Sequence, residues 1–193
     1  MFQTAKPSCA SREKNFSFQH INVWLFDLDN TLYPAKCDLF SQVSARITRY
    51  VSDFLGLKIE DARETQRQYF QEYGTTLRGL MLLHDVDPHD FMDYVHNIDL
   101  TAIDPAPLLA DLLGRLPGRK IIFTNGSRTH AQNVSSKLGI AQCFDAVFDI
   151  VDSNFIPKPN PDPYQKLAKT HNIKPEGCIF FDDIDKPAAI PIP

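Results

Sequence analysis

Val23, Trp24, Leu25 and Phe26 form an unbroken apolar run that ends abruptly at Asp27-Leu28-Asp29. A run that is apolar at every position, rather than at every second one, predicts a strand buried on both faces and central in a parallel sheet, from Asn22 to Phe26. After Pro34 the period changes. Val43, Ile47, Tyr50, Val51 and Phe54 recur at helical spacing, and Gly56 closes that helix. A second helix is predicted from Ile59 to Tyr73 with Gly74 as its stop, and a short third from Leu77 to Leu83. Asp87-Pro88 supplies an N-cap and a first-turn proline for a fourth, with Phe91, Val95 and Ile98 as its apolar stripe.

From Asp104 onward strands and helices alternate. A helix starts at Asp104-Pro105, Lys120–Thr124 reads as a strand, and Ser127–Leu138 reads as a helix closed by Gly139. A short strand, Ala146–Ile150, a helix, Pro161–His171, and a strand, Cys178–Phe181, come next. This alternation predicts an α/β fold with a Rossmann-like, doubly wound parallel sheet. The helical block, residues 35–103, is too long for a connecting loop and too strongly patterned for disorder, so it is an insertion after the first strand. The expected organisation is a leader at 1–20, a discontinuous core at 21–34 and 104–193, and a helical cap at 35–103.

Composition narrows the partners. With 193 residues, 43% hydrophobic and 23% charged, the chain is an ordinary globular sequence, long enough for one sizeable core and a smaller unit. A formal net charge of −4 argues against a nucleic-acid polymer or an anionic membrane as the main partner. No apolar run approaches the roughly 20 residues of a membrane span, and Met1 to His20 contains no apolar signal region. Cys9, Cys37, Cys143 and Cys178 form no CxxC pair, so neither a zinc site nor a disulfide framework is expected. A cytoplasmic location is therefore the expectation.

Open parallel sheets bind ligands at the carboxyl ends of their strands. The first run stops at Asp27-Leu28-Asp29, "KIIFTNGS" stops at Thr124-Asn125-Gly126, and "CIFFDDI" stops at Asp182-Asp183. The loop after the short strand, "IPKPNPDPY", carries Lys158 between two prolines. Taken singly, Thr124-Asn125-Gly126 is a turn and helix cap, Lys158 a solvated lysine, and Asp182-Asp183 a cap for the next segment. Their joint order and placement instead predict one site. Two carboxylates about 4 Å apart repel by about 4 kcal/mol at an effective dielectric of about 20, so four acids together call for a cation. Hard oxygen ligands in this number suit Mg²⁺ beside a phosphate.

These residues carry a resemblance. The chain resembles a haloacid dehalogenase superfamily phosphohydrolase: "FDLDNTLY" matches the first motif, Thr124 the second, Lys158 the third and "FFDD" the fourth. The helical block between the first and second motifs is similar to the family's C1 cap. "DLDNTLYP", with Asn30 where many relatives have glycine, and "YGTTLRGL" (Tyr73–Leu80) are similar to the pyrimidine 5′-nucleotidase branch. The resemblance implies that Asp27 is a nucleophile forming an aspartyl-phosphate and Asp29 the acid–base. It implies Mg²⁺ held by Asp27, the Asp29 backbone carbonyl, Asp183 and, directly or through water, Asp182. Thr124 and the amides of Asn125 and Gly126 would cradle phosphate oxygens, with Lys158 neutralising charge. True dehalogenases lack an acid at the position of Asp29, so the expected partner is a small phosphate ester, with nucleoside 5′-monophosphates foremost. A sugar-phosphate or phosphoglycolate phosphatase and a phosphomutase remain open alternatives.

Tyr33, Arg46 and Arg78 are further candidates for facing substrate across the cap cleft, against the plainer reading of packing or surface residues. His84, Asp85, Asp87, His89 and Asp90 look like a metal cluster, but read better as an N-cap and a solvated helix start. Cys37 reads as a packing residue. Pro187, Pro191 and Pro193 oppose a helix after the fourth motif. The expectation is a truncated core that leaves Cys178–Phe181 at a sheet edge, open to association, with an inactive binding protein as the second class of function.

Overall fold

Every residue of the first apolar run is buried, because the strand it forms is paired on both sides. The computed structural model describes residues 20–183. In it β1 (Val23–Phe26) lies between β2 (Arg119–Phe123) and β4 (Cys178–Phe181), and β3 (Ala146–Phe148) extends the sheet beyond β2. The strand order is β3-β2-β1-β4, and all pairings are parallel. Register aligns Phe26 with Ile122 and Phe181, so the first, second and fourth motifs leave the sheet side by side.

Alternation along β1 divides the core. Trp24 and Phe26 pack with Leu113 and Val134, from α5 (Pro107–Arg115) and α6 (Arg128–Leu138). Val23 and Leu25 pack on the other face with Tyr164 and Leu167 of α7 (Pro161–His171). Helices on both faces are what a doubly wound sheet requires. The Trp24 indole is also satisfied, donating to the Pro117 carbonyl at 2.6 Å. Gly118 is needed where the chain enters β2: its φ is +80°, and a Cβ there would lie 2.3 Å from the Asn22 carbonyl oxygen.

The insert forms α1 (Leu39–Leu55), α2 (Ile59–Tyr73), α3 (Thr76–His84) and α4 (Pro88–Val95). Gly56 and Gly74 close α1 and α2 in the left-handed conformation, as their positions after the apolar periods predict. Val51, Tyr69, Leu80, Phe91 and Met92 share a second hydrophobic core, joined by Ile150 from the sheet domain. Asp87 caps α4 by accepting from the His89 amide at 2.8 Å. Cys37 packs against the sheet-domain core.

Several boundaries differ from the sequence pattern, among them the end of α4 at Val95, short of Ile98, and β2, which runs one residue earlier than expected; three more have a clear local cause. The helix expected at Asp104-Pro105 begins at Pro107 instead, because a residue preceding proline is driven from helical angles. Ala106 there donates to the Leu138 carbonyl at 2.8 Å, outside any helix of its own. The strand expected to reach Ile150 ends at Phe148, where the Asp149 carboxylate turns the chain by accepting from the amides of Arg128 and Asp152. The third helix starts at Thr76, since Thr75 serves as its cap, accepting from the Arg78 amide at 3.1 Å.

β4 is an edge strand among the described residues, with Phe181 44% exposed. The expected leader, apart from His20, and the residues after Asp183 on which the truncation expectation rests lie outside the described residues. No helix among the described residues is long and apolar enough to cross a membrane.

Candidate active site

β1 delivers Asp27 to the edge where β4 also ends, and the Asp27 amide donates to the Phe181 carbonyl at 2.8 Å. A tight turn comes next. Thr31 and Leu32 both donate to the Leu28 carbonyl, and Asn30 adopts φ 60°, a conformation asparagine tolerates better than most side chains. That turn folds Asp29 back over the strand end beside Asp27.

Lys158 is 3% exposed, and its ammonium is turned to the acids. It lies 2.8 Å from Asp27 Oδ1 and 3.0 Å from Asp182 Oδ2, with the rings of Phe123 and Phe180 at 5.1 and 4.9 Å from Nζ. Its backbone is clamped to the second motif: the Lys158 amide donates to Asn125 Oδ1, and Asn125 Nδ2 donates to the Lys158 carbonyl. A solvated loop lysine would show none of this. Thr124 is buried, and its hydroxyl accepts from the Gly126 amide at 2.9 Å, so that amide has a partner within the loop.

Asp27, Asp182 and Asp183 each offer an oxygen within 4.8 Å of the other two. Three carboxylates against one lysine leave negative charge uncompensated, and an all-oxygen set of this kind fits a hard divalent cation. Among the described residues the acids and histidines around Asp87 form no such group.

Asp29 is held by partners that the sequence did not single out together. Its Oδ1 accepts from the Tyr33 hydroxyl at 2.6 Å and faces His130 Nε2 at 2.8 Å. His130 stacks on His96, with ring centroids 4.4 Å apart and planes 13° from parallel. The Ser127 hydroxyl, at the cap of α6, lies 3.0 Å from His96 Nδ1 and accepts from the His130 amide. The available sequence signal was weak: a histidine in the first turn of the helix after a strand-end motif. It reads equally well as an ordinary core histidine.

The environment separates the two acids of the first motif. Burial pushes Asp27 up to about 6, against the opposing pull of Lys158. Burial works in the same direction on Asp29, but the hydrogen bond and charge of His130 and the Tyr33 hydroxyl outweigh it, holding that carboxyl below the ordinary range. Burial, reinforced by His130, drops His96 to about 3, so its ring is neutral at physiological pH. Tyr33 is raised by burial and by the Asp29 charge, and remains a hydrogen-bond donor.

A cavity of about 550 Å³ opens between these residues and the helical insert. Asp27, Asp29, Thr124, Asn125, Gly126, Lys158 and Asp183 line its floor. Phe40, Phe70 and Phe91 wall it, with Gln66, Arg67 and Gln71 as polar groups from α2. None of Tyr33, Arg46 and Arg78 is among its lining residues. Tyr33 is buried behind Asp29, while the Arg46 guanidinium donates to the Tyr94 carbonyl at 2.7 Å and stacks 4.4 Å over the Tyr94 ring, tying α1 to α4. The arginine that reaches the cavity is Arg67.

The site is thus an α/β sheet with acids, a lysine and a hydroxyl at its carboxyl edge and a helical insert lining the cavity above them. The haloacid dehalogenase-like hydrolase family matches residues 21–186, and the chain belongs to that family. It is 30% identical over 182 residues to phosphate metabolism protein 8 of Saccharomyces cerevisiae, covering 83% of this chain and 55% of that protein. The chain thus spans about half the length of that curated relative. Among solved structures, a haloacid dehalogenase-like family hydrolase from Streptococcus pneumoniae superposes with a TM-score of 0.53 at 18% identity, over 86% of this chain and 77% of the other. A haloacid dehalogenase phosphatase from Thermococcus onnurineus gives 0.51 at 17% identity, over 83% and 76%. At these identities the structures speak to the fold.

Proposed function

We propose that the chain is a Mg²⁺-dependent phosphomonoester hydrolase working through an aspartyl-phosphate, with nucleoside 5′-monophosphates, pyrimidine ones foremost, as substrates. The buried contact of Asp27 with Lys158 carries this reading, because a carboxylate and an ammonium held together at a strand end, beside a second carboxylate, are the groups that attack on a phosphate ester would need. Asp27 attacks phosphorus as the ester P–O bond breaks, and Asp29, ionised at rest, passes to the departing oxygen a proton that arrives with the ester as its monoanion, whose second pKa is about 6. Water then attacks the acyl phosphate, Asp29 takes its proton, and inorganic phosphate leaves with Asp27 restored. Two easier displacements replace one difficult one, and a positioned acid–base contributes about 10² to 10⁴-fold.

Asp27, Asp182 and Asp183 would hold Mg²⁺, which supplies charge neutralisation for the phosphoryl group. Thr124, Asn125 and Lys158 meet the phosphate on the cavity floor. The residues of α1–α4 serve as a C1-type cap above it. Phe40 and Phe70 suit the face of a flat base, and Gln71 offers a donor and an acceptor to its edge, Gln66 being held by Thr48 and Ser44, which supports nucleotides over polyhydroxylated sugars. A cytoplasmic setting accords with the free thiols of Cys37, Cys143 and Cys178.

The test is a panel of UMP, CMP, AMP, GMP, sugar phosphates and phosphoglycolate, with Mg²⁺ and with chelator. Release of phosphate from UMP or CMP with the highest kcat/KM supports the reading. A sugar phosphate preferred more than about tenfold would remove the nucleotide assignment. No turnover of any ester would return the chain to a binding role.

A further inference from the structure

Asp29 presents its two oxygens to different surroundings. Oδ1 meets both the Tyr33 hydroxyl and His130 Nε2, which uses up its lone pairs. Oδ2 has no hydrogen-bond partner among the described residues and faces the phosphate loop, 3.7 Å from where a Cβ on Gly126 would stand. The side chain retains 23% exposure and lines the cavity, so the opening is on this side. A carboxylate can only accept, so His130 Nε2 carries the proton of that contact. His130 has little freedom to turn away. It is 2% exposed, stacked on His96 and anchored through Ser127.

We propose that His130 is a positioning residue: its Nε2–H, together with the Tyr33 hydroxyl, occupies Asp29 Oδ1 and leaves Oδ2 as the oxygen that gives and takes the proton. This rests on the acid–base reading of Asp29 given above. His130 touches no reacting atom. Its contribution is to stop the carboxylate rotating, which matters because a displacement of about 1 Å in a catalytic group costs on the order of 10²-fold in rate.

The experiment compares p-nitrophenyl phosphate with benzyl phosphate, two esters of similar shape. The first leaving group departs without a proton, whereas the second needs one. Wild type, His130→Leu and His130→Gln are assayed with Mg²⁺, reading kcat/KM, which reports the half-reaction up to departure of the leaving group. In His130→Leu, kcat/KM for benzyl phosphate falls about 10²-fold, while that for the nitrophenyl ester falls less than about fivefold. Its kcat falls with both, since water attack on the phospho-enzyme also needs Asp29, and nitrophenol appears in a burst. His130→Gln places an amide N–H near the site of Nε2 and recovers most of the benzyl rate.

The ratio of the two esters is taken within one sample, so partial unfolding divides out. Equal losses on both esters, or a glutamine variant no better than leucine, would overturn the proposal. A wild-type protein inert toward both esters would instead overturn the hydrolase reading, and this proposal with it.

Discussion

Lys158 Nζ contacts both Asp27, 131 positions earlier in the chain, and Asp182, 24 positions later, at 2.8 and 3.0 Å. One cation thereby joins the ends of β1 and β4, and the Asn125 clamp adds the end of β2. Breaking a buried pair by removing one partner leaves the other charge uncompensated, at a cost of about 3–5 kcal/mol. Lys158→Met should therefore lower stability at pH 7 by about that amount and reduce turnover by more than about 10²-fold. Urea unfolding with phosphate-release kinetics checks both; a variant as stable as wild type would show the pair to be energetically idle.

Asp27→Asn keeps the shape of the side chain and removes the carboxylate proposed as the nucleophile. Turnover should fall to background while the thermal unfolding midpoint stays within a few degrees or rises. Wild-type turnover from the purified variant would refute the assignment of Asp27.

The raised Asp27 carboxyl gives metal-free protein a pH signature. Between its unfolded value, 3.8, and its folded value of about 6, Asp27 is protonated in the folded state and ionised in the unfolded one. Its contribution to stability is complete below about 3.8 and is lost as pH rises through about 6. Two pKa units correspond to about 3 kcal/mol. In chelator, Asp27→Asn should therefore gain on wild type by roughly 2–3 kcal/mol between pH 4 and pH 7, and Mg²⁺ should close that gap at pH 7. Denaturation curves at several pH values measure it; parallel curves for the two proteins would contradict the assignment.

Phe70 lines the cavity although 61% exposed, a placement suited to a partner face. Aromatic stacking contributes about 0.5–1.5 kcal/mol. Phe70→Ala should raise KM for UMP about two- to tenfold and leave the kinetics of a small alkyl phosphate nearly unchanged. Equal effects on both substrates would remove Phe70 from base recognition.

Two glycines are sites of close approach. A Cβ at Gly79 would sit 2.6 Å from Tyr69 Cγ, where α3 crosses α2. Gly79→Ala should cost about 1–3 kcal/mol by overpacking. Gly118→Ala adds a positive φ to a backbone clash and should cost at least about 2 kcal/mol. Thermal melts rank the two, and a neutral Gly118→Ala would contradict the geometry at Asn22.

Much of this arrangement was legible because apolar runs in the sheet stop at polar residues that the fold gathers around Lys158 and the cavity floor. Asp27, Thr124 and Asp182 announce themselves by interrupting β-type patterns, and parallel pairing then brings them to one edge. His130 gave no such interruption. Its position on α6 fits a buried packing face, and only the approach of α6 to the first-motif turn brings Nε2 to Asp29. The arginines are illegible for a related reason. Arg46 and Arg67 both lie on amphipathic insert helices, and helical period alone does not say which polar flank meets the cavity. Packing against Tyr94 turned Arg46 aside. The start of α5 departs from the pattern because Asp104-Pro105 has the form of a cap, while the second proline, Pro107, decides where helical angles begin.

The sheet order also governs how such a chain acquires its structure. Both neighbours of β1 come late: β2 only after the whole insert, and β4 after all the other strands. The insert's helices, by contrast, meet their sequence neighbours, α1 with α2 and α2 with α3, so they can form quickly and early. Once formed, they shorten the loop that pairing β1 with β2 must close. During synthesis from the amino end, Val23–Phe26 waits with both edges open until that happens. An interrupted chain that ends before Arg119 would display this apolar strand as a template for aggregation.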